Sequence, residues 1–294
     1  MGMVGLRAPA KVNLHLGIYP CLDEQGYHRA DSLMVALNVA DEVEVRELSA
    51  GSPLVVRCDP AIDLPQEKNT AYRAAKEFAR VLGREACVDV LLRKHVPSQA
   101  GLGGASSDAA AVLLALCELW GVDPTEPVVA EVARSVGADV AFFLDPVPTL
   151  LVGRGDVVAE KFAPLAEPVP VVLVRPAGEG VSTPVAYRAF DEEHEEPRDP
   201  AELCAVLRAG GVTPRRVADL LANNLDSVAC RLQPSVAEVR DWLQGHSLVL
   251  GAQVSGSGSC VFGICASGMD ARRVADDATE RFGLDVWACS TSFR

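Results

Sequence analysis

Fourteen residues, Pro97-Ser98-Gln99-Ala100-Gly101-Leu102-Gly103-Gly104-Ala105-Ser106-Ser107-Asp108-Ala109-Ala110, gather glycines and serines where a strand-like segment gives way to a helix-like one. Without a Cβ, Gly101, Gly103 and Gly104 let backbone N–H groups turn toward one point. The first turn of the following helix adds unpaired N–H groups and the positive end of its dipole. The chemistry this suits is binding of phosphate or another anion. No Gly-Lys-Ser/Thr follows, as a Walker loop requires, and no acidic residue closes a dinucleotide-binding βαβ unit.

A carboxylate able to take a proton lies at Asp139, within Gly137-Ala138-Asp139-Val140-Ala141-Phe142-Phe143. A charge in such apolar company is costly unless paired, and function is one reason to keep it; a helix cap or a structural ion pair is the other. Lys11, Asn13 and His15 fall on one face of an alternating segment, where an edge strand with a solvated lysine is the plain alternative. Gly26-Tyr27-His28 sets an aromatic ring beside an imidazole, which a loop packed on the core also explains. Ser255-Gly256-Ser257-Gly258 lies between two apolar runs and reads equally as a hairpin or a link.

These residues need elements to hold them. Residues 88–92 alternate as a strand entering the glycine loop, and 109–116 is a helix that Ser106 or Ser107 would cap. Residues 12–18, 41–47 and 54–56 read as strands. Asn69 heads a helix whose stripe of Ala71, Tyr72, Ala75, Phe78, Ala79 and Leu82 ends at Gly83. Asp123-Pro124-Thr125-Glu126 has the cap, proline and glutamate of a helix start, with the helix running to Gly137. Ser182-Thr183-Pro184 is explained by a cap. Ala222-Asn223-Asn224-Leu225 reads as the start of a helix with solvent-facing amides, and 270–282 as an amphipathic helix before a strand at 286–288. Residues 150–156 and 169–174 are strands around a proline-containing connection at 162–168. A domain boundary placed there gives domains of 1–160 and 161–294.

The chain has 294 residues, 40 acidic against 27 basic, and a net charge of −13. With no basic stripe to offset that repulsion, nucleic acid and anionic membrane are excluded as expected partners. The charge-free stretch 247–269 is long enough to span a bilayer but is crowded with serine and glycine, and residues 1–20 lack the apolar core of a signal peptide. Nine cysteines without a Cys-x-x-Cys pair indicate reduced thiols and a cytoplasmic protein.

The glycine-rich stretch, written Pro-x-x-x-Gly-Leu-Gly-Gly-x-Ser-Ser-Asp-Ala-Ala, resembles the second motif of the GHMP small-molecule kinases. Pro9-Ala10-Lys11-Val12-Asn13-Leu14-x-Leu16 is similar to their first motif, and Ser255-Gly256-Ser257-Gly258-x-x-x-Phe262 to their third. The resemblance implies an α+β, two-domain GHMP kinase fold: a ribosomal protein S5 domain 2-like N-terminal ATP-binding domain and a ferredoxin-like α/β C-terminal substrate-binding domain. It implies ATP and magnesium as cofactors. Pro97, Gly101, Leu102, Gly103, Gly104, Ala105, Ser106, Ser107 and Asn69 would contact ATP, with Ser107 the candidate metal ligand. Ser255, Gly256, Ser257 and Gly258 would support the phosphate loop. In the resembling enzymes the counterpart of Asp139 takes the hydroxyl proton, while the counterpart of Lys11 keeps it ionised and supports charge on the γ-phosphate.

Gly-Tyr-His, Gly-Ala-Asp-Val and the double serine resemble the branch that phosphorylates a cytidylyl diphosphate of a branched polyol. There Tyr27 would stack on cytosine and His28 would read its edge, since every base has a π-face and the edge identifies it. Asn13 and Thr183 would also bind this small-molecule substrate. Kinases of homoserine, mevalonate or a sugar are the alternatives, as is an inactive nucleotide-binding relative. The chain departs from the pattern at Ala105, at Ala141 and at Cys21-Leu22-Asp23-Glu24-Gln25. A monomer or a homodimer is expected.

Overall fold

The computed structural model describes residues 2–178, 180–193 and 195–293. Along the chain run β1 (Met3–Leu22), β2 (His28–Glu47), β3 (Val55–Asp59), α1 (Thr70–Val81), β4 (Val88–Arg93), α2 (Gly104–Trp120), α3 (Pro127–Val136), α4 (Val140–Phe143), β5 (Thr149–Val152), β6 (Val157–Lys161) and β7 (Val169–Arg175). Then follow α5 (Thr183–Glu192), α6 (Ala201–Ala209), α7 (Pro214–Asp219), β8 (Ala222–Asn223), α8 (Asp226–Leu232), α9 (Pro234–Gly245), β9 (Val249–Val254), β10 (Val261–Cys265), α10 (Gly268–Phe282) and β11 (Trp287–Phe293). They pack as two compact units, each assembled from several stretches of chain: 1–10, 39–96 and 103–146 in the first, 11–38, 97–102 and 147–294 in the second.

In the first unit β3 runs parallel to β4, and β4 antiparallel to the end of β2, with Val45 opposite Val90. Val88, Val90 and Leu92 are buried, as their alternation requires. Asn69 caps α1, its Oδ1 accepting from the Ala71 N–H at 2.9 Å, and Ala71, Ala74, Ala75, Phe78 and Ala79 form the buried stripe. Helix α2 is apolar almost all round and is buried accordingly. The Phe78 and Trp120 rings stack, their centroids 5.6 Å apart.

The second unit carries the antiparallel order β11-β7-β10-β9. One core of this unit joins Val172, Val174, Val254 and Val261 of these strands to Val236, Val239 and Leu243 of α9 and Ala271, Val274 and Ala278 of α10. Ser267 caps α10, its Oγ accepting from Asp270 N–H. In the same unit β5 pairs with β2 and β6, while β8 lies parallel to β1, with His15 opposite Ala222.

Several expectations are corrected. Neither Ser106 nor Ser107 caps α2: Gly103 stands at the cap in the left-handed region, φ +71°, and the serines lie inside the first turn. Asp123 does not begin α3. It closes a turn, its Oδ1 accepting from Thr125 N–H and Thr125 Oγ1, and the helix starts at Pro127 behind Glu126. Ala222-Asn223 is strand, not helix, and Asn224 is buried; their amides satisfy backbone groups elsewhere, so periodicity is a poor guide to them. Strands β1 and β2 are each 20 residues long. The middle of β1 is buried on both faces, so Lys11, Asn13 and His15 are not a solvated edge: all three are below 5% exposed.

Candidate active site

In the second unit, the glycine loop has spent its carbonyls on the fold. Ala100 O accepts from Cys260 N–H at 3.1 Å, Gly101 O from Ser255 Oγ at 2.9 Å, and Leu102 O from Lys11 N–H at 2.9 Å. In the first unit Gly103 O accepts from Ser107 N–H and Ala105 O from Thr70 Oγ1. No described residue accepts a hydrogen bond from an N–H group of residues 99–106. A segment whose acceptors are tied and whose donors are unspent is polarised to meet an anion.

Gly101 is fixed by close packing. At φ +72° it lies in the region glycine favours, and a Cβ built on it would stand 2.0 Å from Ser255 O. The 255–258 turn is held in its own right. Asn223 Nδ2 donates to both Val254 O and Gly256 O at 2.9 Å, while its Oδ1 accepts from Leu225 N–H. Ser257 Oγ lies 3.0 Å from Oγ1 of Thr183, the first residue of α5; Ser182 takes the cap position without using its side chain.

Lys11 Nζ donates to Asn13 Oδ1 at 2.7 Å, and Asn13 Nδ2 to Ser32 Oγ at 2.8 Å. Gln253 Nε2 donates to Asn13 O. Two residues on, burial pulls the His15 imidazole down to about 4, against Asp31 and Asp199, which raise it. Its Nε2 is buried with no hydrogen-bond partner.

Tyr27 and His28 are neighbours in sequence with separate surroundings. Tyr27 is 56% exposed, with the Arg154 guanidinium 4.3 Å from its ring centroid, and Arg154 is itself held by Asp23 and Gln25. His28 is buried, its Nδ1 2.8 Å from Tyr19 O and its Nε2 2.9 Å from Asp191 Oδ1. The rings of Tyr187 and Phe190, from α5, pack against it.

In the first unit Asp139 stands at the cap position of α4 without capping it through its side chain. Gly137, two residues before, approaches the loop closely enough that a Cβ there would be 4.0 Å from Ser106 Oγ. Asn69, besides capping α1, donates from Nδ2 to Cys58 Sγ at 3.7 Å. Beneath the helix start lies a buried charge cluster. Lys94 Nζ bonds Asp41 Oδ2 and, at 2.5 Å, Asp108 Oδ2, while Asp41 Oδ1 accepts from His95 and Val96 N–H. One lysine thus ties the end of β4 to the first turns of α2. Burial pushes the Asp108 carboxyl up to about 7, with Lys94 pulling it down and Asp41 adding to the rise. Ser107 Oγ is buried and without a hydrogen-bond partner.

Two family models match the chain: the GHMP kinase N-terminal domain over residues 69–145 and the GHMP kinase C-terminal domain over 211–284. The chain is 36% identical over 295 residues to the 4-diphosphocytidyl-2-C-methyl-D-erythritol kinase of Desulfitobacterium hafniense, covering 99% of this chain and 97% of that one. It is 39% identical over 285 residues to the kinase of the same name from Thermus thermophilus, covering 96% and 94%. The chain belongs to the 4-diphosphocytidyl-2-C-methyl-D-erythritol kinase family. A crystal structure of a 4-(cytidine 5'-diphospho)-2C-methyl-D-erythritol kinase is similar, with TM-score 0.78 at 35% identity, over 99% of this chain and 100% of that one. A homoserine kinase from Cytophaga hutchinsonii, with TM-score 0.71 at 18% identity over 100% of this chain and 95% of that one, shares the GHMP kinase fold.

For a 4-diphosphocytidyl-2-C-methyl-D-erythritol kinase, this geometry groups the sequence-derived residues unevenly. The structure brings together Lys11 with Asn13, Gly101 with Ser255, and Thr183 with Ser257. It does not bring the Tyr27 and His28 rings into one contact set. Sequence reasoning missed Asn223, Gln253, Arg154, Asp191 and the Asp41-Lys94-Asp108 cluster. Only Asn223 carried a signal, as one of two adjacent amides in an otherwise apolar stretch; the others are ordinary surface residue types until the fold brings their partners to them.

Proposed function

We propose that the chain transfers the γ-phosphoryl group of ATP to the 2-hydroxyl of 4-diphosphocytidyl-2-C-methyl-D-erythritol, in the non-mevalonate route to isoprenoid precursors. The observation that carries this reading is the glycine loop, with its carbonyls bound to the fold and its N–H groups left for an anion. Residues 97 and 101–107 are assigned to the ATP phosphates and Asn69 to the adenine side. A loose phosphoryl transition state asks for alignment and electrostatic support more than for covalent chemistry, and oriented amides supply both.

In the reaction a bond forms between the substrate oxygen and the γ-phosphorus as the β,γ-bridging P–O bond breaks, releasing ADP. Asp139 accepts the hydroxyl proton. Lys11, oriented by Asn13, supports the charge on the γ-phosphoryl group. Magnesium accompanies ATP, and the unspent Ser107 hydroxyl suits it together with phosphate oxygens. Among the described residues no group of three or more His, Cys, Asp or Glu could hold a metal ion. Tyr27, His28, Asn13 and Thr183 are assigned to the cytidylyl substrate, and Ser255, Gly256, Ser257 and Gly258 to support of the loop.

A domain boundary near residue 160 is assigned within the interval between the two matched segments, 69–145 and 211–284, whereas the compact units change over after residue 146 and the second also takes in 11–38 and 97–102. Cytoplasmic location accords with nine free cysteines, and a monomer or homodimer remains the assigned state. Among the described residues no helix is long and apolar enough to cross a membrane. The deciding experiment is coupled ADP release with 4-diphosphocytidyl-2-C-methyl-D-erythritol, homoserine and mevalonate as acceptors. Turnover is expected with the cytidylyl compound alone, and turnover confined to either of the others would reject the assignment.

A further inference from the structure

In the second unit the hairpin between β1 and β2 closes through residues 23–27, part of the stretch where the sequence departs from the family pattern. Asp23 N–H donates to Tyr27 O at 2.8 Å, and Asp23 Oδ1 accepts from the N–H groups of Gln25 and Tyr27 at 2.9 and 3.0 Å. These bonds fix the Tyr27 backbone and leave its ring to be held by something else. Core packing does not hold it, since the residue is 56% exposed.

Arg154 reaches the ring from the turn between β5 and β6. Its guanidinium carbon lies 4.3 Å from the Tyr27 ring centroid, Nε donates to Asp23 Oδ2 at 2.8 Å, and Nη2 donates to Gln25 Oε1 at 2.7 Å. The turn that carries Arg154 is anchored in its own right. Arg154 N–H donates to Asp156 Oδ1 at 3.0 Å, Gly153 O accepts from Ala30 N–H at 2.8 Å, and a Cβ on Gly153 would stand 3.1 Å from Asp156 Oδ1. One planar cation thus joins two side chains of the 23–27 turn to one face of the ring. Exposed ion pairs contribute little to folding stability, so the use of this fork lies in the ring it holds.

A cation over one face of an aromatic ring takes up the negative potential of that face and leaves the opposite one for a second planar group. We propose that Arg154 is a positioning residue for the cytidylyl substrate: through its clamp on Asp23 and Gln25 it holds the Tyr27 ring and fixes the face on which the base stacks. This rests on the assignment of Tyr27 to that substrate and adds a residue that acts on it only through Tyr27.

The test is a double-mutant cycle in the full chain: Arg154→Met, Tyr27→Ala and the two combined, with Arg154→Lys alongside, read by calorimetric Kd values for CDP and ADP and by Tm. Arg154→Met should weaken CDP about 5- to 10-fold, for the lost cation–π contact and the ordering of a freed side chain, and leave ADP and Tm in place. Arg154→Lys keeps the charge but cannot bridge Asp23 and Gln25, and should bind CDP as weakly. In the Tyr27→Ala background Arg154→Met should have no further effect on CDP. An unchanged CDP Kd in Arg154→Met would deny the clamp a role, losses that add in the combined variant would place Arg154 on the ligand itself, and full recovery in Arg154→Lys would assign the effect to charge; each overturns the proposal. CDP and ADP binding is read without turnover, so failure of the kinase reading in the acceptor assay remains a separate result.

Discussion

Gly101 and Ser255 approach until no side chain fits between them: a Cβ on Gly101 would lie 2.0 Å from the Ser255 carbonyl oxygen, and Ser255 Oγ bonds the Gly101 carbonyl in return. Gly101→Ala must therefore move the loop as well as strain its backbone at φ +72°. The KM for ATP should rise at least ~10-fold, the ratio that about 1.4 kcal/mol gives. Gly83→Ala is the control, with φ +65° and open space around it; it should cost about 1 kcal/mol of stability and leave KM alone. Equal kinetics in the two variants would deny the close approach any role in ATP binding.

Asp139→Asn should lower kcat by ~10²- to 10⁴-fold, the usual cost of losing a positioned base, with little change in ATP affinity. Lys11→Met should act on the same step. Asn13→Ala removes the acceptor that orients the lysine and should give a smaller loss in kcat. Near-normal turnover in Asp139→Asn would leave direct attack by the substrate hydroxyl as the mechanism.

Tyr27 has one face covered by Arg154 yet remains more than half exposed, so a second ring can still stack on it. Tyr27→Ala should raise the KM of the cytidylyl substrate by the equivalent of about 1–3 kcal/mol, one base–aromatic stack, and leave the KM of ATP in place. His28→Ala should do the same and also relax discrimination against a uridylyl analogue. A rise in the ATP KM alone would move this pair to the other nucleotide.

His15 gives stability a pH dependence of predictable sign. Its folded pKa is held at about 4 by burial, below the ordinary histidine value of 6.5. Above 6.5 the ring is neutral whether the chain is folded or not, so it costs nothing. As pH falls from 6.5 toward 4 the unfolded chain takes up a proton that the folded chain refuses, and stability drops by about 3 kcal/mol at most. Urea midpoints of the parent and His15→Phe, compared at pH 7 and pH 4.5, should diverge as the parent loses more. Parallel losses would assign the acid sensitivity to other groups.

Residue pattern carried the glycine loop, α1, α2 and the core strands, because glycine content, capping and apolar periodicity are local properties. It failed where a polar side chain serves backbone elsewhere. Asn223 and Asn224 look like exposed amides until β8 sets them against β1 and the 255–258 turn. Lys11, Asn13 and His15 alternate as a wet face would, but Asn13 meets Ser32 and Gln253 across the fold, which makes burial of that face affordable. Asp41, Lys94 and Asp108 are distant along the chain, and nothing local marks them as one cluster.

The hydrogen bond from Ile18 N–H to the side chain of Asn224 closes a span of 206 residues, and that from Gln253 to the carbonyl of Asn13 closes 240. During synthesis at roughly 5–20 residues per second, the strand bearing Lys11 therefore leaves the ribosome tens of seconds before the amides that secure it. The earliest site residues to be made thus wait longest for two of the hydrogen bonds that hold their strand, and a chain released before residue 224 would carry Lys11 on a strand with neither of those two tethers.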